Sequence, residues 1–137
     1  MPLTIGESLA GLPVFLTYLG VSLGFLIGYC IVYVQITPYA EYRLIRAGKV
    51  APAISFSGAV LGFVIPLASV VAHSVSLLDM VVWAGIAFVV QCLVFIVTSR
   101  VFISLSKDIE EDRIASGILL AVFALAAGIL NAASMTY

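Results

Sequence analysis

The sequence predicts an all-α integral membrane protein with four transmembrane helices. Three observations predict it. Of the 137 residues, 64% are hydrophobic and 9% charged, whereas soluble domains run near half apolar and a quarter charged. The mean hydropathy is +1.26, and a water-soluble fold of this size has too little interior to hide so much apolar surface. Finally, the apolar residues gather into four runs of about 20 residues, the length that crosses ~30 Å of hydrocarbon at 1.5 Å per residue.

The runs cover 12–35, 51–72, 77–98 and 114–133 and form a single transmembrane domain over 1–137. They are read as helices because a spanning backbone must satisfy its own hydrogen bonds, and they lack the alternation of barrel strands. The opening MPLTIGESLAGLP has neither a positive n-region nor a small-residue cleavage site, so the first run is read as a retained helix.

Every basic residue falls in one of two connections. Arg43, Arg46 and Lys49 lie between the first and second runs; Arg100, Lys107 and Arg113 lie between, or flank, the third and fourth. The loop holding His73, Ser74, Ser76 and Asp79 has no Lys or Arg, nor do the termini. Short basic loops stay cytoplasmic. The expected location is therefore a bacterial-type inner membrane with both termini on the periplasmic side. The acidic cluster Asp108, Glu110, Glu111, Asp112 does not overturn this, because acidic residues count little in that rule. Tyr33, Tyr39 and Tyr42 then fall at the inner interface, and Trp83 and Tyr137 toward the outer one, depths that amphipathic rings prefer.

The first inner loop carries helix signals of its own. Thr37 followed by Pro38 reads as an N-cap and a first-turn proline, Glu41 favours the helix dipole, and Gly48 offers a stop. A short interfacial helix is expected from Pro38 to Ala47, anchored by Tyr42, Ile45 and the arms of Arg43 and Arg46. With Lys49 this surface is also the candidate contact for cytosolic partners. In the second inner linker, Ser106 to Arg113, Glu110 and Glu111 are expected to favour the N-terminus of the fourth helix.

The halves look related. Each is an apolar helix, a charged inner linker and a small-residue helix, and Val50–Ile54 and Ile114–Ile118 open their helices in similar ways. Such a 2+2 repeat is parallel, unlike the inverted repeats of many secondary transporters.

Inside lipid, close packing through small residues associates helices. Gly20, Gly24 and Gly28 recur every four residues in the first run. Gly58 and Gly62 follow Ala51 and Ser55 in the second, and Ala124, Gly128 and Ala132 repeat the spacing in the fourth. Three such faces exceed what one helix pair needs, which points to a homo-oligomer. The alternative is that all are used within one chain. Pro66 removes a backbone donor and predicts a kink in the second helix, with Gly62 and Ser69 near the freed carbonyl.

Chemistry is sparse. No Asp, Glu, Lys or Arg falls in the inner two-thirds of any run, whereas ion-coupled transport uses such groups near the midplane. Gln91 is the polar residue of the third run, a helix-bridging amide or a path-lining group. Asn131, His73 and Asp79 suggest a shallow outer cluster. His73 beside Ser and Asp has no nucleophile motif or oxyanion hole around it, so no enzyme activity is expected. Cys30 and Cys92 have no metal-ligand spacing and read as small buried or lipid-facing residues; no EF-hand is present, and no cofactor is expected. A net charge of −1 leaves no nucleic-acid footprint.

Four stretches together resemble a known family: Ile36-Thr37-Pro38-Tyr39; Ala53–Gly58 continued by Leu61–Leu67; Trp83–Ala87 followed by Gln91; and Gly128–Ala133 with the closing Met135-Thr136-Tyr137. In this order they are similar to the YjfL-like inner-membrane proteins, domain of unknown function 350. The resemblance spans essentially the whole chain. It implies a bacterial inner-membrane protein of four helices in two related halves. It also implies a genomic setting near proteins resembling the membrane-stress coat protein PspA and near enzymes of polyamine or glutathionylspermidine type. It assigns no catalytic residues. The resulting expectation is a non-enzymatic, oligomeric membrane component or scaffold in envelope maintenance, in contact with lipid and cytosolic membrane-stress partners. The alternative is a homo-oligomeric channel for an ion or small solute, built from Gly20, Gly24, Gly28, Pro66 and Gln91 with a thin lining from Thr17, Ser22, Ser55, Ser57 and Ser69.

Overall fold

The computed structural model describes the backbone of residues 4–37, 41–101 and 103–135, and side chains within these except at 41 and 101–106. Its described elements are all helices. A short α1 (Ile5–Leu9) leads into α2 (Leu12–Ile36). Then come α3 (Glu41–Arg46), α4 (Val50–His73), α5 (Leu77–Val101), α6 (Ile103–Glu110) and α7 (Ile114–Ser134). α2, α4, α5 and α7 are each long and apolar enough to cross a membrane, and they match the four predicted runs to within three residues at each end.

The two halves repeat one order of elements: long helix, short helix, long helix. Gly48 (φ 85°) ends α3 and Asp112 (φ 61°) follows α6, so a left-handed residue precedes the second long helix of each half. Gly adopts this backbone without penalty, and Asp is among the few other residues that tolerate it. At each site the next amide closes the short helix from beyond: Lys49 N–H donates to Leu44 O at 3.1 Å and Arg113 N–H to Asp108 O at 2.8 Å, the wrap of a helix C-terminal stop.

α4 is the centre of the bundle and α7 its main partner. They run parallel, because Gly117 meets Ala51 near their first turns and Gly128 meets Gly62 farther along. α2 is peripheral and is held through its second half by aromatic rings. Tyr29 stacks on Phe63 of α4 (4.6 Å between centroids) and meets Phe88 of α5 edge-on at 5.6 Å. Tyr33 packs against Phe95 of α5 at 4.8 Å and Phe56 of α4 at 5.5 Å. Its first half projects beyond these contacts, with Val14, Phe15 and Leu16 exposed, as lipid-facing residues should be.

Two local details go beyond the expectations. Thr37 is the C-cap of α2: its N–H donates to Tyr33 O and its hydroxyl to Val34 O; the amides it was expected to cap lie outside the described residues. A threonine hydroxyl bonds backwards to a carbonyl as readily as forwards to an amide, and the long helix claims it. Pro38 and Tyr39, the proposed start of the interfacial helix, lie outside the described residues, as does Tyr137; Glu41–Arg46 is the helix seen. In the second linker, Asp112, which was not singled out, caps the start of α4, while α7 has no side-chain cap at Arg113.

Candidate functional site

Lys49, the residue before α4, has no side-chain acceptor for the helix's first amides. Asp112 supplies one from the other half of the chain. Its Oδ1 accepts from Val50 N–H at 2.9 Å and Ala51 N–H at 2.8 Å. Pro52 follows and has no N–H to satisfy. The left-handed backbone at Asp112 aims the carboxylate there. A negative charge on two first-turn amides is the favourable sign for the helix dipole. Around it, Arg113 pairs with Asp108 (3.6 Å) and Glu111 (3.5 Å), and Ser116 donates to Asp108 at 3.1 Å.

Farther along, four helices meet at a polar node. Gln91 of α5 is 1% exposed, and its Nε2 donates to Ala124 O of α7 at a long 3.4 Å. The buried hydroxyls of Tyr33 (α2) and Ser55 (α4) are bonded at 3.2 Å. Gln91 Oε1 is buried and has no hydrogen-bond partner among the described residues. Glycine lets the helices come this close. A Cβ on Gly62 would stand 2.5 Å from Ala124 O and 2.8 Å from Gln91 Nε2. A Cβ on Gly58 would overlap Ala121, and one on Gly128 would overlap Gly62 O. Pro66 accounts for the last contact. Lacking an N–H, it frees the carbonyl four residues back, Gly62 O, from the helix ladder, and this is the oxygen that Gly128 covers. α4 continues through the proline to His73.

The remaining predicted residues are not gathered. Gly20 and Gly24 have nothing within 4 Å of an added Cβ, and Gly28 only Phe88 at 3.9 Å. Gly24 and Gly28 line an open apolar groove of about 540 Å³ with Gly85 and Phe88. His73, Asp79 and Asn131 are not joined by any hydrogen bond described. His73 Nδ1 bonds Ser69 O at 2.9 Å, Asp79 accepts from Val75 N–H at 3.1 Å, and Asn131 Nδ2 has no partner among the described residues. Tyr42, Arg43, Arg46 and Lys49 are exposed. Arg46 donates to Tyr42 OH at 3.1 Å, its guanidinium 5.8 Å from the ring centre. Sequence reasoning missed the Asp112 cap and the roles of Tyr33 and Ser55 at the node; only Gln91, by its depth, was signalled.

A family model described as Domain of Unknown Function (DUF350) matches residues 7–135. The chain belongs to this family. It is 39% identical over 123 residues to the UPF0719 inner membrane protein YjfL of Escherichia coli (strain K12), covering 90% of this chain and 93% of the relative. The same figures hold for the protein of that name in Escherichia coli O157:H7. No solved structure matches. With four membrane-crossing helices and inner-membrane relatives of nearly equal length, the DUF350 member described here is a multi-pass inner-membrane protein.

Proposed function

We propose that the protein is a non-enzymatic membrane component that assembles with copies of itself through α2 and presents its basic end to cytosolic partners of an envelope-stress system. The observation that carries the assembly reading is the glycine groove of α2 and α5, a close-packing surface into which none of the described helices packs. Small-residue faces associate helices in lipid because backbones approach closely there. The basic end, by the charge rule, faces the cytoplasm and leaves both termini outside. Arg43, Arg46 and Lys49 stand free of the bundle there, a surface suited to an acidic partner segment.

A pore through one chain finds little support. Thr17, Ser22 and Thr98 turn their hydroxyls onto carbonyls of their own helices, and a conducting path needs a continuous wettable lining. Affinity capture from native-lipid particles, followed by mass spectrometry, tests the partner reading. Wild type should recover a soluble protein near one-to-one, and Arg43→Glu with Arg46→Glu should lose it while still inserting. Recovery of the protein with itself alone would sink the scaffold reading; solute flux in liposomes would then test a pore between copies.

A further inference from the structure

A second open groove, about 570 Å³ in volume, runs along α4 and α7. Gly58 and Ala121 are buried in it, where the two helices touch, and an added Cβ on Gly58 would overlap Ala121. Leu61, 50% exposed, and Leu125, half-buried, flank them. On α4 the groove extends from Val50 to Leu61, ~16 Å at 1.5 Å per residue. That is about half of the ~30 Å hydrocarbon thickness. The groove is therefore as deep as one leaflet, the leaflet on the side of the basic linkers. It shares no lining residue with the glycine groove of α2 and α5.

Lys49 is the one charged residue among those lining the groove, and it stands at the end where α4 begins. It has no ion pair among the described residues. Asp112 reaches the same helix start, but its Oδ1 serves the amides of Val50 and Ala51, which also closes those amides to any other anion. α2 of a second copy has no Asp or Glu to answer Lys49. A phospholipid does: it brings a negative charge at interface depth and an apolar chain below it, the same order of charge and apolar surface as the groove. We infer that the groove is a binding site for an anionic phospholipid, its phosphate beside Lys49 and one acyl chain against Gly58 and Ala121. The lysine arm lies along apolar surface with its ammonium at headgroup level. A zwitterionic headgroup carries its own cation for the phosphate, so Lys49 favours a lipid of net negative charge. Arg43 and Arg46 do not line the groove and stay available to a cytosolic partner. The inference is independent of how copies assemble through α2.

Native mass spectrometry tests this on the full chain, delipidated in detergent and titrated with phosphatidylglycerol or with phosphatidylcholine of the same acyl chains. One phosphatidylglycerol per chain should be retained at concentrations where phosphatidylcholine is not. Lys49→Gln should weaken that retention about fivefold, the weight of one basic residue at an anionic surface. Ser57→Phe, at an exposed position lining the groove, should obstruct the acyl chain and lower retention several-fold. Equal retention of the two lipids, or phosphatidylglycerol retention unchanged by either substitution, would overturn the site. Ser57→Phe that separates copies of the chain while keeping the lipid would give the groove to a second copy, and would overturn it too.

Discussion

Two glycine-spaced faces in this protein look alike in sequence and stand in opposite surroundings. On α4 and α7, Gly58, Gly62, Gly117 and Gly128 lie where an added Cβ would strike the neighbouring backbone. On α2, Gly20 and Gly24 meet nothing. Four-residue spacing puts glycines on one face and makes close approach possible. It does not say what approaches. The difference lies in the rest of each helix. α4 has a freed carbonyl at Gly62 for Gly128 to cover, and a capping carboxylate delivered by the linker before α7. α2 is attached by the rings of Tyr29 and Tyr33 on another face, which leaves its glycine face open.

The comparison can be broken most decisively by placing the same side chain on each face. Gly128→Leu should cost at least about 3 kcal/mol, since overpacking against backbone has no flexible atom to move. The protein should unfold early in detergent titrations or fail to accumulate. Gly24→Leu should leave the unfolding midpoint within about 0.5 kcal/mol of wild type and alter only assembly. Equal losses from the two changes would erase the distinction.

The Asp112 cap is the next effect in size. Asp112→Ala removes the acceptor of two first-turn amides and should cost about 1–2 kcal/mol, the range of helix-cap deletions. Hydrogen exchange should rise at Val50 and Ala51 and stay unchanged in α2. Tyr33→Phe keeps the ring stack and deletes the hydroxyl, so a loss near 0.6 kcal/mol is expected, the average for polar contacts between membrane helices. That would show α2 to be held chiefly by its rings. Smallest is Arg113→Ala. Its side chain is 65% exposed in both ion pairs, and exposed pairs contribute about 0.2–1 kcal/mol. The unfolding midpoint should barely move, and less so in high salt.

What was legible in the sequence follows the same physics. Span lengths were legible because hydrocarbon thickness imposes them. The stop at Gly48 was legible because Gly is the residue that adopts a left-handed backbone freely. The part of Thr37 in ending α2 was not legible, because its hydroxyl can serve the helix on either side. Asp112 was one of four nearby acidic residues; its task depends on a helix start sixty-two residues away in sequence, and no local pattern encodes that. Gln91 stood out by depth alone, yet the phenol and hydroxyl that complete its surroundings come from α2 and α4, whose rotations the sequence leaves open. The shallow outer cluster of His73, Asp79 and Asn131 was an inference from shared depth, and depth does not bring side chains together.

The most direct test of the central claim is the mass of the protein released from native-lipid particles, for wild type and Gly24→Leu side by side. An open α2 face that receives another copy predicts wild type at a multiple of 14.5 kDa, with the variant as a single chain of unchanged unfolding midpoint. Wild type emerging as a single chain, or the variant keeping the full assembly, would contradict it.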